Sequence, residues 1–231
     1  MALEWACAHS SGHMPTCQSI PRHKLPSVPT GTPIRDVRQQ LLDAAQRVLL
    51  REGPDAVTSR AVTTEAGVAK GILHRHFPDF GTFLATLALS HIERLDMLAA
   101  EVRASAGTET PTSNLIRALA AALNPGAVAI VSLILSRHEL LARLRLTTPT
   151  GVPLLAETTK MIAAYLTAER GLGRIDANTD VDTVAVMLVG AAHLLAAGSQ
   201  SAALEPDDLL DVVSATFESV IEQPAERGAR T

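Results

Sequence analysis

The run of residues 58–76, which reads TSRAVTTEAGVAKGILHRH, constrains the fold more than any other part of the sequence. Thr58 is a suitable cap for a short helix, and Gly67 supplies the left-handed backbone that a tight turn between two helices requires. Beyond the turn, Lys70 and His74 are four residues apart and therefore share a helix face. The pattern predicts two short helices joined by a tight turn, the second with a polar outer face.

A short exposed helix of this kind fits the major groove of double-stranded DNA, which is wide enough to admit one. Gly71 would let the helix backbone approach the bases, while Lys70 and Arg75 would meet phosphates or acceptors on guanine. The alternative is a plain three-helix subdomain in which both cations are solvated. The residues predicted to contact DNA are Thr58, Ser59, Arg60, Ala69, Lys70, Gly71, Ile72, His74, Arg75 and His76.

Charge is distributed unevenly along the chain. The net charge of −4 does not by itself favour a nucleic-acid partner. However, the residues through Leu84 carry a net charge of +2 and the remainder carries −6. A weakly basic N-terminal part on an acidic body is compatible with DNA binding.

The run from Arg38 to Leu84 resembles the DNA-binding domain of TetR-family transcription regulators. This resemblance implies an all-α protein, with an N-terminal three-helix domain that contains a helix-turn-helix and a C-terminal helical domain that binds a ligand and dimerises. The implied function is sequence-specific DNA binding, as a repressor that a small molecule releases from its operator. The matching positions are Leu41-Leu42-Asp43-Ala44-Ala45, Gly53, Val57-Thr58, Ala66-Gly67-Val68, Lys70-Gly71-Ile72-Leu73, His76-Phe77 and Phe83-Leu84.

Three positions depart from the family pattern. The family usually has Ser or Thr where Ala69 stands, Tyr where His74 stands and Lys where Phe80 stands, and those side chains commonly contact phosphate. We expect the missing hydroxyl at Ala69 and the missing ammonium group at Phe80 to weaken nonspecific attraction to DNA. The departures leave a second interpretation open, a helical ligand-binding or adaptor protein with weakened DNA binding.

The chain divides into three predicted parts: a disordered leader at 1–31, a helix-turn-helix DNA-binding domain at 32–84, and a helical ligand-binding and dimerisation domain at 85–231. The leader has repeated prolines and no helical period. The first helix has an apolar stripe at three- and four-residue steps, and we expect Thr32 to cap it and Gly53 to end it. Later helices are expected near 80–104, 113–123, 126–146, 152–170, 179–198 and 205–222.

The helices near 179–198 and 205–222 are predicted to form a homodimer interface. His193 is the only ionisable residue between Val184 and Gly198, so this segment must be buried in a core or an interface. By the resemblance, the two helices pair with their dyad mates in a four-helix bundle. A symmetric dimer suits a palindromic operator, because paired recognition helices enter successive major grooves.

The ligand site is expected, by the same resemblance, among the helices of the second domain. Aromatic residues make up 3% of the sequence, which argues against an aromatic cage for a flat cation and favours a small apolar or amphipathic ligand. For each candidate, an ordinary structural role is the alternative. The candidate ligand-binding residues are Asn114, Arg117, His138, Thr158, Met161, Tyr165 and His193.

No catalytic residue, cofactor or metal site is predicted, so an all-helical enzyme is the weakest of the interpretations. The sequence has no Ser/His/Asp series, phosphate loop or nucleotide fingerprint. Cys7 and Cys17 lie in the leader, and with His9 and His13 they match no zinc-site spacing. The sequence shows no signal-peptide pattern and no uninterrupted apolar span, which favours a cytoplasmic protein without membrane contact.

Overall fold

Helices account for the regular structure of this chain. The computed structural model describes residues 36–146, 151–198 and 206–220, and within these ranges it contains ten α-helices and no strand. The all-α fold class is therefore confirmed. The predicted leader at 1–31 and the predicted cap Thr32 lie outside the described residues. The helices are α1 (Val37–Glu52), α2 (Ser59–Glu65), α3 (Gly71–His76), α4 (Phe80–Ala104), α5 (Pro111–Ala122), α6 (Pro125–Ser136), α7 (His138–Leu144), α8 (Pro153–Gly171), α9 (Val181–Gly198) and α10 (Pro206–Val220).

The first helix starts later than the sequence suggested and ends where it was expected to. Asp36, not Thr32, is the N-cap of α1, because its side chain accepts a hydrogen bond from the backbone N–H of Arg38. Gly53 ends the helix with φ of 84°, a conformation that favours glycine. A short 3-10 turn at Pro54–Ala56 then leads to α2.

Helices α1, α2 and α3 pack around a small aliphatic core. The part of the predicted α1 stripe between Leu41 and Leu49 is buried, and α1 contacts both α2 and α3. An ion-pair cluster on the surface adds to this packing, since Glu65 of α2 lies 2.7 Å from Arg47 and 3.0 Å from Arg51 of α1. Hydrogen bonds from Arg47 and Arg51 lower the pKa of Glu65 below its ordinary value.

Three phenylalanines fix the junction between α3 and α4. The ring of Phe83 lies edge-on to that of Phe77, with centroids 5.0 Å apart, and stacks on that of Phe80 at 5.6 Å. The guanidinium of Arg38 on α1 lies over the ring of Phe77, 4.6 Å from its centroid. Edge-to-face rings and a cation over a ring are favourable geometries, so α3 is held rigidly on the start of α4.

The single helix expected near 126–146 is wrong, because the chain breaks at Arg137 into α6 and α7. Arg137 has an extended backbone (φ −127°, ψ 95°), and neither glycine nor proline marks the break. Its guanidinium donates hydrogen bonds to the carbonyl oxygens of Pro54 and Val57, at 3.1 and 2.8 Å. These long-range contacts tie the α6–α7 junction to the connection between α1 and α2.

The remaining helices surround α4 and α8. Helix α8 packs against both α4 and α9, and α10 packs against α5 and α9. Helix α9 is long and apolar enough to cross a membrane by length and composition alone, with a mean hydropathy of 1.7 and a third of its residues buried. The bent pair α5–α6 passes the same test as a single broken span, and core helices of soluble proteins pass it too.

Replacing Leu73 with Ala should destabilise the protein by about 2–5 kcal/mol, because it opens a cavity beneath α3. Leu73 is fully buried. Leu50→Ala on α1 is the matched control, because Leu50 is 48% exposed, and its cost should stay within about 0.5 kcal/mol. Urea denaturation followed by circular dichroism measures both changes. An equal loss of unfolding free energy in the two variants would contradict the burial of Leu73 in the core.

Candidate functional site

The helix-turn-helix predicted at 58–76 is formed by α2, a tight turn and α3. Thr58 caps α2, since its hydroxyl oxygen accepts a hydrogen bond from the N–H of Ala61 at 3.1 Å. Gly67 has φ of 68°, the left-handed conformation that the turn required. Val62 and Leu73, one from each helix, are fully buried and join the two helices to the core. The predicted cap and turn are confirmed.

The structure exposes most of the residues that were predicted to contact DNA. Ser59 and Ile72 are half-buried, and Ile72 also packs against the hydrophobic core. Helix α3 itself covers only Gly71–His76, so Ala69 and Lys70 lie just before it rather than within it. The exposed members of the set are Thr58, Arg60, Ala69, Lys70, Gly71, His74, Arg75 and His76.

Cations near this surface fall into two groups. Arg47 and Arg51 on α1 form ion pairs with Glu65, and Arg51 also pairs with Glu52. By contrast, Arg60, Lys70 and Arg75 make no ion pair with any residue in the described ranges, and all three are exposed. The helix-turn-helix therefore offers its unpaired positive charge on its outer side.

Residues 41–79 match the family profile described as "Bacterial regulatory proteins, tetR family". Solved structures with the same architecture include a TetR-family transcriptional regulator from Mesorhizobium loti, with 18% identity and a TM-score of 0.61. The match covers 79% of this chain and 94% of the Mesorhizobium loti chain. The fold is that of the TetR-family regulators. Two others are GusR from Salmonella enterica (16% identity, TM-score 0.60, 80% and 95% covered) and a Saccharomonospora viridis transcriptional regulator in complex with choline (16%, 0.60, 80% and 98%). Among curated protein sequences, none matches this chain significantly.

One departure from the TetR pattern, Phe80, lies at the start of α4, next to the residue that caps this helix. Phe80 is half-buried and stacks on Phe83 within the first turn of α4, so the residue that stands in place of a lysine packs against the protein rather than exposing a cation. Asp79 caps α4, and the Thr82 N–H and hydroxyl both donate to its carboxylate, at 2.7 and 2.9 Å. Hydrogen bonds from Thr82 lower the pKa of Asp79 below its ordinary value, so the carboxylate is charged at the start of α4.

Three of the candidate ligand-binding residues come together at one end of the helical bundle. Tyr165 is buried and donates a 2.5 Å hydrogen bond to Glu169. Asn114 donates to the carbonyl oxygen of Ser105 at 3.1 Å and accepts a 2.5 Å hydrogen bond from Arg117. Their polar atoms are thus engaged within the protein, and their role toward a ligand stays a prediction.

Glu169 organises this cluster, although the sequence interpretation overlooked it. The residue is fully buried, accepts a hydrogen bond from the Gly107 N–H at 3.3 Å, and lies 3.1 Å from a guanidinium nitrogen of Arg174. Burial and the neighbouring carboxylate raise the pKa of Tyr165 above its ordinary value. The available signal was the spacing of Tyr165 and Glu169, four residues apart on one helix.

The other four candidates make no hydrogen bond to that cluster within the described residues. Thr158 is buried and donates to the Leu154 carbonyl, which satisfies it within its own helix. Met161 is a buried core residue, and His138 is exposed at the start of α7. His193 on α9 is half-buried, its Nδ1 has no hydrogen-bond partner within the described protomer, and burial lowers its pKa. His138 lines a cleft beside the start of α4, and the ligand-binding role of all seven candidates stays a prediction.

A second histidine that the sequence interpretation missed is buried on α4. His91 is 5% exposed, its Nε2 has no hydrogen-bond partner in the described structure, and it lines a cavity of about 70 Å³ between α4, α5, α6 and α8. Gly126 permits the close approach of α1 here, because a Cβ at this position would lie 2.7 Å from Nε2 of Gln46. Burial, together with the charge of Arg94, lowers the pKa of His91 to about 4.

His91 should make the stability of the protein depend on pH between about 6.5 and about 4. The unfolded chain binds a proton on this imidazole below pH about 6.5 while the folded protein does not, so stability falls as pH decreases through that window, by at most roughly 3 kcal/mol. Comparing urea denaturation of wild type and His91→Gln at several pH values measures the difference. The exposed-histidine control His138→Gln should keep the wild-type dependence, and an identical slope in His91→Gln would contradict the assignment.

Proposed function

We propose that this protein is a sequence-specific DNA-binding transcription regulator, a repressor that a small molecule releases from its operator. The observation that carries the proposal is the unpaired positive charge of Arg60, Lys70 and Arg75 on the exposed side of a helix-turn-helix. Because DNA affinity depends mainly on phosphate neutralisation, cations that are free of intramolecular partners are the ones available to the duplex. A regulator of this kind acts in the cytoplasm, where bacterial DNA lies.

We further propose that the DNA-binding domain comprises residues 32–84 and that the helical domain at 85–231 senses the ligand. The boundary falls inside α4, which is continuous from Phe80 to Ala104, so the two functional parts share one helix. A ligand that favours one arrangement of α4 would change the spacing of the paired recognition helices by its differential affinity for the two states. The choline complex of the Saccharomonospora viridis regulator supports a small-molecule site in this architecture.

Replacing Lys70 or Arg75 with Ala should weaken binding to DNA flanking the protein's own gene by about three- to tenfold, and each lost phosphate contact should reduce the salt slope by about one. Mobility-shift assays across a range of salt concentrations measure both quantities. Arg103→Ala is the matched control, because Arg103 is an exposed cation at the other end of α4. It should bind as wild type does.

Two outcomes would contradict this assignment. If Lys70→Ala and Arg75→Ala bind DNA as tightly as wild type, the recognition surface is misplaced. If wild type forms no specific complex at low salt, the alternative of a ligand-binding or adaptor protein with weakened DNA binding replaces the proposal, and Ala69 would be the first position to examine. Introducing Ser at that position restores the hydroxyl that the family usually carries.

We also propose that the protein is a homodimer through α9 and α10. Helix α9 buries one face in the protomer and exposes an apolar stripe on the other, in which Val186, Gly190 and Leu194 recur at four-residue steps. Leu194 is 73% exposed, and nothing within 4 Å occupies the space that a side chain at Gly190 would fill. Leu210 adds an exposed apolar side chain from α10. A second copy of the same surface would bury this stripe across a twofold axis.

Replacing Leu194 with Glu should convert the dimer to a monomer, because two carboxylates would be buried near the axis. Analytical ultracentrifugation measures the mass directly. Met97→Glu is the control, since Met97 is an exposed apolar residue of α4 outside the proposed interface, at 63% exposure, and this variant should remain dimeric. A wild-type protein that sediments as a monomer at micromolar concentration would refute the dimer.

A further inference from the structure

A cleft of about 530 Å³ lies between the start of α4 and the junction of α6 with α7. Its volume is within the range typical of small-molecule sites, roughly 300–1,000 Å³. Phe80, Leu84 and Leu140 give it an apolar lining. The charged and ionisable side chains that line it are Arg137, His138, Glu139 and Arg143.

Two cations line the cleft, the guanidinium groups of Arg137 and Arg143, together with one carboxylate, that of Glu139. Arg137 is engaged by backbone carbonyl oxygens, and Arg143 lies 3.4 Å from a carboxylate oxygen of Asp79 at the edge of the cleft. A bound anion would therefore compete with Asp79 for Arg143. Guanidinium is the side chain whose planar fork best fits a carboxylate. A guanidinium group beside an apolar lining points to an amphipathic monocarboxylate.

Arg143 is held at the edge of the cleft by the first turn of α4. Its Nη1 donates to the Thr82 hydroxyl at 2.6 Å and lies 3.4 Å from Oδ1 of Asp79. Gly81 leaves room for the guanidinium, because a Cβ there would lie 3.2 Å from Nη2 of Arg143 and would have to displace it slightly. The side chain is still 44% exposed, so an anion in the cleft can reach the guanidinium.

The second guanidinium connects the cleft to the helix-turn-helix. Arg137 holds the carbonyl oxygens of Pro54 and Val57, which immediately precede the Thr58 cap of α2. A ligand in the cleft would therefore contact the start of α4 directly and reach the α1–α2 connection through Arg137. The first turn of α4 follows α3 after only three residues.

We propose that this cleft binds an amphipathic monocarboxylate, with the carboxylate on Arg143 and the alkyl part against Phe80, Leu84 and Leu140. The bound carboxylate competes with Asp79 for the guanidinium and so alters the first turn of α4. This inference deepens the proposed function, because it assigns a chemical class and a place to the ligand of a DNA-binding regulator. It adds a site that only His138 among the predicted ligand-binding residues touches.

Titration calorimetry with sodium octanoate tests the site, with octanol as the neutral probe of the same chain length. Octanoate should bind wild type about tenfold more tightly than octanol does, and Arg143→Gln should weaken octanoate binding by about tenfold. Glu139→Gln should strengthen it by about two- to threefold, since it removes the one negative charge of the lining. Glu139 is exposed and makes no hydrogen bond or ion pair with any described residue, so this variant is expected to fold normally.

Arg103→Gln is the matched control for charge, because it removes an exposed cation from the last turn of α4, at the opposite end of that helix from the cleft. Octanoate should bind this variant with wild-type affinity. Equal affinity for octanoate and octanol, equal effects of Arg143→Gln and Arg103→Gln, or no heat with octanoate would each overturn the proposal. Mobility-shift assays on the same preparations distinguish failure of the carboxylate site from failure of the proposed DNA-binding function. Intact DNA binding without octanoate binding refutes only the carboxylate site, whereas absent DNA binding refutes the proposed function.

Discussion

The edge-on packing of Phe83 against Phe77 is the contact on which the rest of this structure depends. It fixes the end of α3 to the start of α4, and α4 then runs for 25 residues without a break into the helical bundle. A displacement of the first turn of α4 would therefore move the end of α3 with it, which the proposed release of DNA by a ligand requires.

Two arginines from the α6–α7 region complete this connection from the opposite side. Arg137 holds the turn before α2 through backbone carbonyls, and Arg143 holds the first turn of α4 through Thr82 and Asp79. The helix-turn-helix is consequently fixed to the bundle at two points, just before α2 and just after α3. Polar contacts of this kind, unlike the aliphatic core, can be exchanged for contacts to a ligand without opening a cavity, as the proposed carboxylate site beside the α6–α7 junction requires.

Local chemistry was predictable from the sequence, and long-range contacts were not. The Thr58 cap and the Gly67 turn follow from backbone preferences of single residues, and both are present as expected. The break at Arg137 carries no such signal, because it depends on carbonyl groups eighty residues earlier in the chain. Glu169 and His91 were missed for the same reason: a buried ionisable residue looks like any other until the neighbouring helices are in place.

The apolar character of α9 has two physical explanations, and the distribution of burial separates them. A bilayer would surround the helix with hydrocarbon, whereas Val184, Leu188 and Ala192 are buried against neighbouring helices of the same protomer. Only the opposite stripe remains uncovered, and it is flanked by Leu210 of α10. This exposed stripe, with Gly190 at its centre, is the surface that the proposed dimer would bury. A twofold axis through it would relate two helix-turn-helix segments, as a palindromic DNA site requires of the proposed regulator.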